Sequence, residues 1–169
     1  MGAADAIAAI SHRARRAHAG AIERWMHEVS IDPHVSLDDV THGFAMSGRV
    51  TLNFHPDRVV RSGRSVAAGL LAEGRYRSQW STGISNGSRS AVRGGDRDRF
   101  ERDLFNGAYD DTDPDRDEFP VYGSFDLLRD PHGGSPRFGS CFVVLHAHVV
   151  ERVTLCVGDS HVLDRKSVV

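Results

Sequence analysis

At 169 residues and 40% hydrophobic, the chain has the length of one domain and enough apolar residues to bury a core without metals or disulfides. Its 21 basic and 23 acidic residues leave a net charge of −2, which argues against a general nucleic-acid binder. The longest apolar runs, residues 6–10 and 141–145, fall far short of the roughly 20 residues that a membrane-spanning helix needs.

No secretory pattern opens the chain, because the weakly apolar residues 2–10 include Asp5 and run into the basic SHRARRAH. Cys141 and Cys156 lie in β-branched apolar runs, where free thiols are expected to pack as small hydrophobes. Neither belongs to a CxxC or zinc-type spacing, so a cytoplasmic, reducing compartment is expected.

In chain order, the spacing of Ile7, Ile10, Ala14, Ala17, Ala21, Trp25 and Val29 predicts a long first helix. Arg13, Arg15 and Arg16 fall on its wet side, and Pro33 ends it. Ser36 followed by Asp39 predicts an N-cap, with Val40, Phe44 and Met46 as the apolar side of a short helix. RVTLNF at 49–54 alternates as a strand, closed by His55 and Pro56. A helix over 65–73 stopped by Gly74 is expected next. The polar YRSQWSTGISNGSRS then predicts a short strand over 76–80 and a hairpin turn at Asn86-Gly87.

Asp96 opens a charged helix with Phe100, Leu104 and Phe105 on one side and Gly107 as its stop. Residues 110–118, rich in acids, read as an exposed loop. VYGSFDLL, CFVVLHAHVV and RVTLCV read as strands, with PHGGSPRFG as a turn between the first two. Helices first and strands late predict an α+β fold, with N-terminal helices packed on a small mixed or split antiparallel sheet. One domain is expected, with a helical part over 1–48 and a core over 49–161. LDRKSVV follows VGDSH without a closing element, so the chain is expected to stop before its fold does.

The candidate chemistry lies at the ends of these elements. Asn53-Phe54-His55-Pro56-Asp57-Arg58 presents a His, an Asp and an Arg where a strand exits, which is either a site or a plain turn. The stretch from Tyr76 through Gln79, Ser81, Thr82 and Gly83 to Asn86 and Gly87 holds more hydrogen-bonding groups than a connection needs. Its glycines would let backbone amides approach a ligand, but no GxxxxGK pattern supports ATP or GTP. Gly83-Ile84-Ser85-Asn86-Gly87 also fits a nucleophile-elbow pattern, although SRSAVRGG is a poor helix start after it. Gly94-Gly95-Asp96-Arg97 fits either an anion-binding helix start or a cap formed by Asp96. Arg137 enters the strand on which His146 and His148 would share a side. With Asp159 and His161 that pair could hold a metal ion.

RVTLNFHPDR, YRSQWSTGISNG, GGDRDRFERDLFNGAYD, VYGSFDLL, PRFGSCFVVL and RVTLCVGDSH occur in this order. Over residues 49–161 they resemble a mostly bacterial family known as domain of unknown function 3626. The chain departs from that pattern where Ser81 replaces a glutamate and Phe100 a tryptophan, and members extend well beyond GDS.

A looser likeness is to ADP-ribosyltransferases, which bind NAD in the cleft of a small split sheet. It implies His55 or Arg58 on the nicotinamide ribose, Tyr76 or Ser81-Thr82 as the middle element, and Glu151 or Asp159 as the acid. Catalytic candidates are then His55, Tyr76, Ser81 and Asp159, with Arg58, Gln79, Thr82, Gly83, Asn86 and Arg137 as NAD-binding candidates. The expected partner is a small nucleotide, with neither nucleic acid nor membrane. Two alternatives stay open: a metal-dependent hydrolase on His146, His148, Asp159 and His161, and a binding module without catalysis or an inactive fragment.

Overall fold

The computed structural model describes residues 34–84, 91–111, 113 and 119–155, with positions 8, 12, 16, 20, 24, 27 and 32 of the N-terminal stretch. Ala8, His12, Arg16, Gly20, Arg24 and His27 are helical and exposed, as one wet side of a helix would be. The expected apolar stripe of that helix lies outside the described residues.

Helix α1 spans Leu37–Ser47 and starts on a reciprocal cap. Ser36 Oγ accepts from the Asp39 N–H, and the Asp39 carboxylate accepts from the Ser36 N–H. Its apolar side is not covered as expected: Phe44 is 49% exposed and Met46 68%. Phe44 stacks on Phe125 at 6.0 Å.

Strand β1, Arg49–Phe54, is the middle of a three-stranded sheet in the order β2-β1-β3. It pairs antiparallel with β2 (Ser124–Asp126), where Val50 faces Phe125, and with β3 (Cys141–Val144), where Asn53 faces Phe142. Among the described residues all pairing is antiparallel, which favours the antiparallel alternative over the mixed one. The expected in–out alternation of RVTLNF is overturned, because Val50 through Phe54 are all buried. Both faces of a central strand are covered here, and a glycine-rich loop covers the face of Thr51 and Asn53.

The late strands are shorter than their composition predicts. VYGSFDLL yields three paired residues, and CFVVLHAHVV stops at Val144 before a 3-10 turn over Ala147–Arg152. Val153 to Leu155 carry no regular structure. β-branched residues form strands only where a partner and a surface receive them. Cys141 is exposed, which corrects its expected burial; Cys156 lies outside the described residues.

Helix α2, Val66–Glu73, is capped by Ser65 and ends at Gly74 in the left-handed region, as expected. Residues 76–80 do not form the expected strand. Ser78 instead caps a single helical turn, α3 (Gln79–Thr82), which Gly83 closes at φ +70°. Helix α4, Asp96–Phe105, starts at Gly95, so Asp96 does not cap it and pairs with Arg99 instead. It ends on Asn106 in the left-handed region, one residue before the expected Gly107.

Trp80, Ala91, Leu104, Phe105, Tyr109 and Phe119 form a buried cluster beside this helix, with Trp80 stacked on Phe119 at 4.6 Å. The result is an α+β fold. Among the described residues no helix is long and apolar enough to cross a membrane.

Candidate functional site

The carboxyl end of β1 is held by its own side chains. Asn53 Nδ2 donates to the carbonyls of His132 (2.8 Å) and Gly139 (3.2 Å), and its Oδ1 accepts from the Ser135 N–H. Thr51 Oγ1 accepts from the Gly134 N–H at 3.0 Å. These bonds lay the loop after β2 across the strand. Gly139 rests on the backbone of Phe54, where a methyl group would come within 1.9 Å of the Phe54 carbonyl carbon. Only glycine fits there. That crossing fixes the 3-10 turn Pro136–Phe138 near the strand end, and the Arg137 guanidinium sits over the Phe138 ring at 4.4 Å.

Tyr76 reaches the same place from the other side of the chain. Its hydroxyl donates to the Asn53 carbonyl at 3.3 Å, and its ring meets Phe54 edge-on at 6.2 Å. Burial pushes the Tyr76 phenol above its ordinary pKa. His55 is half-buried at the strand exit, and its carbonyl accepts from the Arg58 N–H. The following residues turn back onto α2: Pro56 and Arg58 carbonyls accept from Ala67 and Val66 N–H. A turn and a presented histidine therefore coexist in His-Pro-Asp-Arg.

The Ser-Thr-Gly turn lies against this segment, since the Arg61 N–H donates to the Thr82 carbonyl at 3.3 Å. Ser81 and Thr82 hydroxyls both donate to the Ser78 carbonyl, so they close α3 rather than project a proton outward. Gln79 differs. Its Oε1 is buried and has no hydrogen-bond partner among the described residues.

His55, Tyr76, Thr82, Gly83 and Arg137 are thus tied to β1 or to the segment leaving it, and Gln79 and Ser81 share α3 with Thr82. His146 and His148 are not on a strand: His146 precedes the 3-10 turn and His148 lies inside it. Their rings stack at 5.7 Å with planes 14° apart, so the in-plane lone pairs lie in two nearly parallel planes. No group of three metal-ligating side chains occurs among the described residues. Ser85, Asn86, Gly87, Asp159 and His161 lie outside the described residues, as does the Glu151 side chain.

Sequence reasoning missed a charged cluster under Trp80. Glu101, 3% exposed, accepts from Trp80 Nε1 (2.8 Å), the Arg97 guanidinium (3.1 Å) and the Tyr122 hydroxyl (3.1 Å). Burial raises the Glu101 pKa despite these partners. Burial and the Glu101 charge together push Tyr109 up to about 12. Arg93 lies over Trp80 and Phe119, donates to the Tyr109 carbonyl and pairs with Asp98 at 3.0 Å. A signal for this was present: Arg97, Asp98 and Glu101 fall on the same helical stripe as Leu104 and Phe105.

A small antiparallel sheet with short capped helices and a glycine loop across its central strand defines the class, an α+β domain. Within it, the chain belongs to the family described as protein of unknown function (DUF3626), which it matches over residues 49–168. No curated protein and no solved structure matches it.

Proposed function

We propose that the carboxyl end of β1 binds NAD and that the domain cleaves its nicotinamide–ribose bond, passing ADP-ribose to water or to a protein acceptor. Gln79 Oε1 carries this reading: among the described residues it is a buried acceptor without a partner, in a turn packed on the segment that leaves β1. An unsatisfied buried acceptor costs roughly 1–3 kcal/mol. A ligand that brings its own donor offsets that cost once the partly exposed Gln79 side chain turns outward, and the nicotinamide carboxamide and the ribose hydroxyls are donors of the right kind.

In this reading His55 or Arg58 holds the nicotinamide ribose, Tyr76 backs it, and Arg137 completes the rim. The C1′–N bond breaks, the pyridine nitrogen keeps the electron pair, and water or an acceptor nucleophile adds to C1′. Positive charge grows on the ribose as this happens, and a carboxylate stabilises it. Asp159 or Glu151 is assigned that place.

Nicotinamide release from NAD, followed by chromatography, tests the proposal. The His55→Ala variant is expected to lose turnover by roughly 100-fold or more, the scale of a lost polar catalytic group, while its melting temperature stays unchanged. Full turnover in that variant would discard the assignment of His55. A wild-type protein that neither binds nor cleaves NAD would discard the reading as a whole.

A further inference from the structure

We infer that Arg61 is the phosphate-binding residue of this surface, its side chain laid along Gly83 of the Ser-Thr-Gly turn with the guanidinium available to a diphosphate. The ligand class rests on the nucleotide reading above; the placement does not. The Arg61 N–H is bonded to the Thr82 carbonyl at 3.3 Å. Its stem covers Gly83, where an added methyl would come within 2.5 Å of Arg61 Nε and 3.0 Å of Cγ. Gly83 has φ +70°, so both its conformation and the room above it suit glycine.

The guanidinium itself makes no ion pair and no hydrogen bond among the described residues. Arg49, Arg77, Arg93, Arg97, Arg99 and Arg102, by contrast, each pair with a carboxylate. Arg64, Arg129 and Arg152 likewise make no ion pair among the described residues, and what distinguishes Arg61 is its stem held against Gly83. Arg64 closes the same turn through its carbonyl, which accepts from the Val60 N–H, and adds a second positive charge.

The backbone nearby does not supply the anion site. The first N–H groups of α2, on Val66, Ala67 and Ala68, are taken by the carbonyls of Arg58 and Pro56 and by Ser65 Oγ. Of the charged donors that remain, the Arg61 guanidinium is the one whose stem is held against the Ser-Thr-Gly turn. Its planar fork matches two phosphate oxygens at once, which an ammonium cannot do.

Calorimetry with inorganic pyrophosphate, ADP, adenosine and NAD, on wild type, Arg61→Gln and Arg61→Lys, tests this. ADP and pyrophosphate are expected to bind wild type and to weaken roughly 10- to 100-fold in Arg61→Gln, the worth of a charged hydrogen bond. Adenosine, which has no phosphate, keeps its affinity, and Arg61→Lys recovers only part of the loss. Arg61 is exposed, so all variants keep the wild-type melting temperature. Equal ADP affinity in Arg61→Gln, an equal loss for adenosine, or no binding of ADP or pyrophosphate to wild type would each overturn the inference. Binding of ADP and pyrophosphate without binding or cleavage of NAD would leave Arg61 standing and remove the NAD reading alone.

Discussion

Gln79 is under two opposing demands. Its buried Oε1 without a partner weakens the folded state, and the same atom is the proposed ligand acceptor. Gln79→Leu removes an unsatisfied polar group in exchange for an apolar one, a change expected to stabilise by about 1 kcal/mol. The same variant is expected to lose NAD affinity by roughly 10-fold, the worth of one hydrogen bond. Thermal denaturation and calorimetry on one sample check both. A Gln79→Leu protein that melts lower while binding NAD normally would assign the side chain a purely structural role.

Some of this was legible residue by residue. The density of polar groups from Tyr76 to Gly83 singled out the turn, and the strand exit singled out His55. The clamp by Asn53 was not legible, because its partners lie about 80 residues away in a loop that composition marks only as a turn. Gly139 is similar: one glycine among 17 proves to be where two backbones touch.

At the scale of elements, caps were the readable signals and strand lengths were not. Ser36 with Asp39, and Ser65 with Gly74, set helix bounds through local hydrogen bonds. Strand extent depends on which neighbour pairs, so CFVVLHAHVV reads as one strand but forms four residues of it. Local capping also won over β propensity at Ser78, where hydroxyl-to-backbone bonds close a helical turn.

Helix α4 was expected as a charged helix with Phe100, Leu104 and Phe105 on one side; the structure adds Arg97, Asp98 and Glu101 to its buried side. Glu101→Ala deprives the buried Trp80 N–H and the Tyr122 hydroxyl of their acceptor and Arg97 of its carboxylate. We expect a loss of about 3–5 kcal/mol, as for breaking a buried pair from one side. Glu101→Gln keeps an acceptor and is expected to lose less than half as much. Urea denaturation measures both; equal losses would mean that the charge, not the hydrogen bonding, holds the cluster.

For the whole molecule, two buried carboxylates set the response to acid. Burial works against the charge of Asp126, but the Asp130 N–H and the Arg49 guanidinium together hold it below the usual carboxylate range. Asp98 behaves alike: burial opposes its charge, and the Gly94 N–H and Arg93 outweigh it. Both bind a proton more weakly folded than unfolded, so their stabilisation is present above the unfolded pKa of about 4 and is lost as pH falls through the folded values. Glu101 has the opposite sign, with a contribution that is lost as pH rises through its raised pKa. The two aspartates outnumber it, so the melting temperature is expected to fall below about pH 4, less steeply in Asp126→Asn. A melting temperature constant down to about pH 2 would contradict this balance.

The α+β class follows from the order of helices and strands, and the family from its long motifs. What the molecule adds is convergence: Tyr76, the loop through Gly139, and the Ser-Thr-Gly turn by way of Arg61 all meet the end of β1 or the chain leaving it. A crystal structure of the protein with ADP-ribose or NAD tests that convergence most directly. The nucleotide is expected across the carboxyl end of β1, with a donor on Gln79 Oε1 and its diphosphate on Arg61. A nucleotide seated elsewhere, or crystals that take up none at saturating concentration, would contradict it.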